Sequence, residues 1–262
     1  MLDNLRQLPR YRGLIQTLVV RELKARYRGS LLGYLWSFIN PLLLLLIYTF
    51  VFTIVMPNKD PDAQPYALFM FCGILPWTWF SASLSEASNS LIANGNLIKK
   101  VLFPAEVLPI VSVLTNMVHF FFGLPILAAF LIWYQKPIDA LQLLWFPVVV
   151  LVQLVLTTGL ALILAALTVH FRDIKDILAN VLTLWFFATP IIYTWKLMAD
   201  YMGYLNWNPF THLAISYQEI LFFDGPFGHW KWLVALGGAS VVVFLAGYWL
   251  FDRLRDSYAE VV

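Results

Sequence analysis

Polar and apolar residues in this chain fall into long separate blocks rather than alternating. Strongly apolar runs, almost free of charge, lie at about 36–56, 66–90, 107–133, 141–169, 177–195 and 232–251. A hydrocarbon core about 30 Å thick needs roughly 20 helical residues, at about 1.5 Å each, to cross it. No water is present there to satisfy a bare backbone amide, so each run is predicted to be a helix, giving six spans. Barrel strands would show a period of two, which these blocks lack. The predicted fold class is an all-α integral membrane protein, one transmembrane domain over residues 1–262.

The remaining stretches have their own patterns. In 14–30, Ile15, Val19, Leu23 and Tyr27 recur every fourth residue, while Arg21, Lys24, Arg26 and Arg28 lie mostly off that stripe. This predicts an amphipathic helix lying on a leaflet, its cations toward lipid headgroups. Residues 198–223 contain Asn206, Asn208, His212 and Glu219 and are too polar to span well. They are predicted as short external re-entrant helices, broken near Asn208-Pro209. Pro76 and Pro190 mark expected kinks in the second and fifth spans.

Composition strengthens the membrane reading. The chain is 61% hydrophobic and only 12% charged, with mean hydropathy +0.75, whereas soluble domains carry roughly 25% charged residues. Net charge is +2, too balanced for nucleic-acid binding by bulk charge. The placement of positive charge is more informative. With the N-terminus inside and six spans, the cytoplasmic segments hold 13 of the 17 Lys and Arg residues. Only Lys59, Lys136, Lys196 and Lys231 fall outside, so both termini are expected to be cytoplasmic. The N-terminal segment does not read as a cleavable signal peptide, because its first apolar run begins only near Trp36 and is too long.

Candidate chemistry is sparse. The single cysteine, Cys72, lies in an apolar run and suits packing. No phosphate-binding loop, zinc motif, nucleophile elbow or acid–base pair occurs, so no catalytic residue, metal site or cofactor is expected in this chain. Glu86 follows Tyr66 by 20 residues, about 30 Å along a helix, which puts it at the cytoplasmic interface. His119 is the titratable residue nearest a midplane, with Asn116 one turn away to satisfy it; a proton relay through His119 is the alternative. Aromatics make up 17% of the chain. Sugar rings stack apolar faces on aromatic planes, so Tyr48, Trp77, Trp79, Phe80, Phe187 and Tyr193 are candidates to line a glycan passage, against packing as the plainer role. The connection between spans two and three, ANGNLIKKVLFPAE, places Val101, Leu102 and Phe103 together, an apolar cluster that a solvated loop rarely carries.

Four blocks carry a resemblance. RELKARYRGSLLGYLWSFINPLLLLLIYTFVF (21–52), GILPWTWFSASLSEASNSLIANGNLIKKVLFPAEVLP (73–109), ATPIIYTW (188–195) and LNWNPFTHL (205–213) resemble, in order and spacing, permease subunits of ABC-2-type polysaccharide exporters. That family exports O-antigen, teichoic acid and capsule chains, and the last two blocks look closest to its O-antigen and teichoic-acid members. The resemblance implies a bacterial inner-membrane permease acting with a second copy of itself and two copies of an ABC ATPase subunit, which would bind ATP and Mg. It implies an undecaprenyl-diphosphate-linked glycan as cargo, with capsular polysaccharide or teichoic acid as alternatives. It further implies that Asn94, Asn96, Leu97, Lys99, Lys100, Val101, Phe103 and Pro104 seat on the ATPase. The segment around Arg21–Arg28 would lie at the membrane interface. A proton-coupled lipid flippase using His119 is the competing class.

Overall fold

The computed structural model describes residues 8–55, 60–99, 103–136, 139–194, 200–255 and 258. Lys100, Val101 and Trp195 lie outside these, as do positions 198 and 199 of the expected external helices. Among the described residues, eleven α-helices occur in the order α1 (Arg12–Arg26), α2 (Trp36–Phe50), α3 (Tyr66–Ala93), α4 (Gly95–Ile98), α5 (Val107–Trp133), α6 (Ala140–Leu143), α7 (Phe146–His170), α8 (Ile174–Phe187), α9 (Met202–Leu205), α10 (Pro209–Leu221) and α11 (Trp230–Arg253). Helix α2 loosens into a π-turn at Val51–Val55. No strand occurs among the described residues.

Among the described residues, five helical segments are long and apolar enough to cross a membrane: Gly33–Val55, Tyr66–Ala93, Val107–Trp133, Ala140–His170 and Trp230–Arg253. The sixth expected run is interrupted. Helix α8 has 14 residues, about 21 Å at 1.5 Å each, and stops at Phe187. Thr189 precedes Pro190, a position that disfavours the α conformation, and proline itself has no N–H to continue the ladder. Pro190 therefore ends a helix instead of kinking one, whereas Pro76 sits inside α3, which continues past it.

Helix α3 is the axis. Its apolar residues face every direction, and most are buried against α5, α7 and α10. The closest pairing is α7 with α11. There Gly159 and Gly247 bring two backbones into contact, the small-residue solution to helix packing without a hydrophobic gradient. A Cβ built on Gly247 would lie 2.4 Å from the Gly159 carbonyl oxygen, and one on Gly159 would lie 2.7 Å from Phe244 Cα.

Helix α10 turns back into the bundle and is buried along most of its length. Asn208 clips it to α8. Its Oδ1 accepts from Phe210 N at 3.0 Å, capping α10, and from Trp185 Nε1 at 2.6 Å. Its Nδ2 donates to the Ala188 carbonyl at 3.0 Å and to Thr189 Oγ1 at 2.9 Å, satisfying groups freed where α8 ends. Gln218 Nε2 then donates to the Pro190 carbonyl at 2.8 Å.

Helix α1 packs on the start of α5 rather than lying alone. Leu14, Ile15, Leu18 and Val19 meet Val107 and Val111, and Leu18 is the buried residue. The expected stripe of Ile15, Val19, Leu23 and Tyr27 is thus displaced by part of a turn, because its partner is a crossing helix and not a flat surface.

Candidate functional site

Two cavities share a wall near the junction of α1, α3 and α5. The first, of about 600 Å³, is lined by Trp36, Pro41 and Leu44 of α2, by Phe71, Leu75 and Trp79 of α3, and by Phe120 of α5. It follows α3 from Ala82 to Phe71, eleven residues or about 16 Å. Arg26, Tyr27, Ser37, Asn116 and His119 form a polar part of its wall, and Asn40 and Thr78 also line it. The second, of about 460 Å³, has a mixed lining, with Leu18, Ala93, Leu108 and Val111 among its walls. Arg21, Glu22, Ser85, Glu86, Asn89, Ser90, Asn94 and Ser112 contribute to it, and Arg26 borders both spaces.

A hydrogen-bonded triad forms the dividing wall. Arg26 Nη2 donates to Glu86 Oε1 at 2.5 Å, and Nη1 lies 3.4 Å from Asn116 Oδ1. Asn116 Nδ2 donates to Glu86 Oε2 at 2.7 Å and to the Ser112 carbonyl at 2.9 Å. Asn116 therefore serves Glu86 and Arg26, and the expectation that it satisfies His119 is replaced. His119 Nδ1 instead lies 3.4 Å from both the Tyr27 hydroxyl and Ser37 Oγ, which are 2.7 Å from each other.

The predicted headgroup cations separate. Arg21 lines the polar groove, Arg26 is held by Glu86, and Lys24 and Arg28 are exposed. A largely apolar cavity, the Arg26 guanidinium and a groove carrying Arg21 with amides, carboxylates and hydroxyls lie side by side. That set of surfaces matches an amphiphile with an apolar tail, an anionic link and a hydroxylated head.

The connecting segment begins where α3 ends. Asn94 Nδ2 donates to the Ser90 carbonyl at 2.9 Å, and α4 follows immediately. Asn96 and Lys99 are exposed, Leu97 and Phe103 face an internal cluster, and Pro104 is buried. This segment presents a polar outer side and an apolar inner side.

The aromatic candidates divide. Trp77 and Phe80 are buried among Trp185 and Phe210, with Trp77 and Phe210 at 90° and 4.9 Å. Trp79 donates from Nε1 to the Val113 carbonyl at 3.1 Å and edges the apolar cavity. Tyr48 is half-buried beside Phe52. Phe187 is 59% exposed, and the Tyr193 hydroxyl donates to its carbonyl at 3.1 Å. Tyr201, Tyr204 and Trp207 are exposed rings that sequence reasoning missed; the clustering of aromatics around Asn206 was the available signal.

Known proteins resemble this chain along its length. The sequence profile of the family described as ABC-2 type transporter matches residues 13–222. An O-antigen export system permease protein (RfbA) of Myxococcus xanthus is 43% identical over 266 residues, covering all of both chains. One of the same name from Klebsiella pneumoniae is 32% identical over 252 residues, 95% of each chain. The polysialic acid transport protein KpsM of Escherichia coli is 24% identical over 213 residues, 78% of this chain and 80% of that one.

Proposed function

The chain belongs to the ABC-2 transporter permease family, whose members are membrane subunits and not enzymes, and on that premise we propose that it exports a lipid-linked, O-antigen-type polysaccharide. A partner ATPase supplies the energy and binds ATP and Mg, and two such subunits act with two copies of this chain. The end of the bundle that holds Asn94 is cytoplasmic, as are both termini. The outwardly uncovered apolar rows of α2 and α8, including Leu43, Ile47, Ile177 and Leu184, face lipid and the second copy.

The observation that carries the reading is the composite site: an apolar cavity, then Arg26, then a polar groove. The isoprenoid tail enters the cavity, the diphosphate meets Arg26 with help from Arg21, Lys24 and Arg28, and the first sugar occupies the groove. A diphosphate offers the guanidinium more negative charge and more acceptor oxygens than the single carboxylate of Glu86, which lets it compete for Arg26. The segment 94–104 seats on the ATPase through its polar side, which carries the exposed Asn96 and Lys99, while Leu97, Phe103 and Pro104 pack behind it. Exposed rings at the other end, Phe187, Tyr204 and Trp207, with the half-buried Tyr193 beside Phe187, offer stacking faces to the departing glycan.

The test is reconstitution of this chain with its ATPase in vesicles loaded with diphosphate-linked glycan. ATP-dependent delivery to the far side, abolished by vanadate, is the expected result. Delivery without an ATPase would overturn the proposal.

A further inference from the structure

At the Asn94 end, a second charged contact lies apart from the two cavities. Glu106 leads into α5 and is only 3% exposed. Its Oε2 is 3.7 Å from Arg255 Nη2 and makes no hydrogen bond. A carboxylate removed from water is costly unless a cation and donors replace the lost solvent. Here one guanidinium faces it across a gap longer than a hydrogen bond.

The surroundings tie this pair to two distant parts of the chain. Arg255 follows α11. Three residues on, Tyr258 is fully buried, with its ring 5.0 Å from that of Phe251 and its hydroxyl donating to the Phe251 carbonyl at 3.1 Å. The same packed cluster contains Leu91, Ala105 and Leu108, with Leu97, Ile98 and Phe103 at its edge. The inner side of the connecting segment and the residues after α11 therefore share one apolar core, and Glu106 with Arg255 forms its charged pin.

We propose that Glu106 is a positioning residue which, through Arg255, locks the segment 94–104 to the end of α11. Apolar contacts can slide past one another, but a buried carboxylate cannot leave its counter-ion without facing an uncompensated charge. A push on the segment then moves α5 and α11 as one body, and α7 follows through the Gly159–Gly247 contact. The inference rests on the reading of 94–104 as the ATPase seat.

The experiment uses the full transporter with its ATPase, comparing wild type, E106Q, R255Q and the exchange E106R/R255E. Readouts are copurification of the ATPase, ATP hydrolysis and glycan export. Expected are assembly and hydrolysis near wild type in E106Q and R255Q, with export reduced about tenfold, and export recovered in the exchange. R255Q, altered at a side chain 35% exposed, keeps the test decisive if E106Q does not fold. Wild-type export in R255Q, or assembly lost in step with export, overturns the proposal. Failure of the wild-type chain itself to bind an ATPase instead overturns the reading of the segment, and the inference with it.

Discussion

Arg26 and Glu86 meet at 2.5 Å in the wall between the apolar cavity and the polar groove, and Asn116 lies within reach of both. The two side chains are 31% and 36% exposed, so solvent screens their attraction and the pair contributes about 1 kcal/mol or less to folding. Its position suggests binding more than stability. R26Q is expected to lower export about tenfold by removing a phosphate ligand. Its Tm should change by about 4 °C at most. Export and thermal melts on the same preparation separate the two effects; a large Tm loss would mean that Arg26 is structural.

E86Q should act in the opposite direction on binding. The amide still accepts from Arg26 but no longer neutralises it, so the guanidinium is left available to an anion. Affinity for a diphosphate-linked lipid analogue, followed by fluorescence in detergent, is expected to rise. An unchanged or weaker affinity would show that Glu86 does not compete with the ligand.

The apolar runs were readable because lipid imposes one rule on every span: satisfy the backbone internally and present carbon outward. Of the connecting segment's apolar cluster and two lysines, Phe103 packs inward and Lys99 is exposed, while Lys100, Val101 and Leu102 lie outside the described residues. What the pattern could not supply was pairing across distance. Glu86 and Arg26 are 60 positions apart, and nothing local in either sequence announces the other. The end of α8 was likewise hidden, because 188–194 carries no charge to mark a boundary and only Thr189-Pro190 and its distant clip, Asn208, stop the helix. Trp77 and Phe80 look the same in sequence whether they line a passage or fill a core; their contacts with Trp185 and Phe210 assign them to packing.

Gly159 and Gly247 permit a backbone approach that no other residue allows, so G247V should force α7 and α11 apart. Overpacking of this kind costs about 1–3 kcal/mol, and here the obstruction is backbone, which cannot rotate away. G238A is the control, since nothing lies within 4 Å of a Cβ there. Thermal melts in detergent should show a clear drop for G247V and none for G238A. Equal Tm values would remove the claim that this contact fixes the α7–α11 pairing.

His119 provides the test between ATP-driven and proton-driven transport. Its Nδ1 contacts are long at 3.4 Å, and its buried Nε2 has no hydrogen-bond partner among the described residues, a poor start for a proton relay. H119F is expected to leave ATP-driven export intact, and a protonophore should not stop it. Loss of export with ATP hydrolysis unaffected would instead favour a proton-coupled carrier.

A pair of imidazoles joins α10 to the start of α11, and its protonation state can be deduced. His212 Nε2 is 3.1 Å from the Asn206 carbonyl, which can only accept, so Nε2 carries the hydrogen and Nδ1 is bare. That bare nitrogen accepts from His229 Nε2 at 3.0 Å, while Trp232 stacks on His212 at 4.6 Å and 8°. The arrangement fits two neutral rings. Burial lowers the pKa of both, and for His229, with His212 adding its own charge, down to about 4. A base whose folded pKa lies below its unfolded value of about 6.5 stabilises the fold above that value. This contribution is lost as pH falls toward 4. Glu219, whose pKa burial raises, works the other way and offsets part of the loss, although the N–H groups of Gly228 and His229 bind its carboxylate. The wild-type Tm is therefore expected to fall between pH 6.5 and 4.5, with a shallower slope in H229Q. Parallel slopes for the two proteins would remove the histidine pair as the cause.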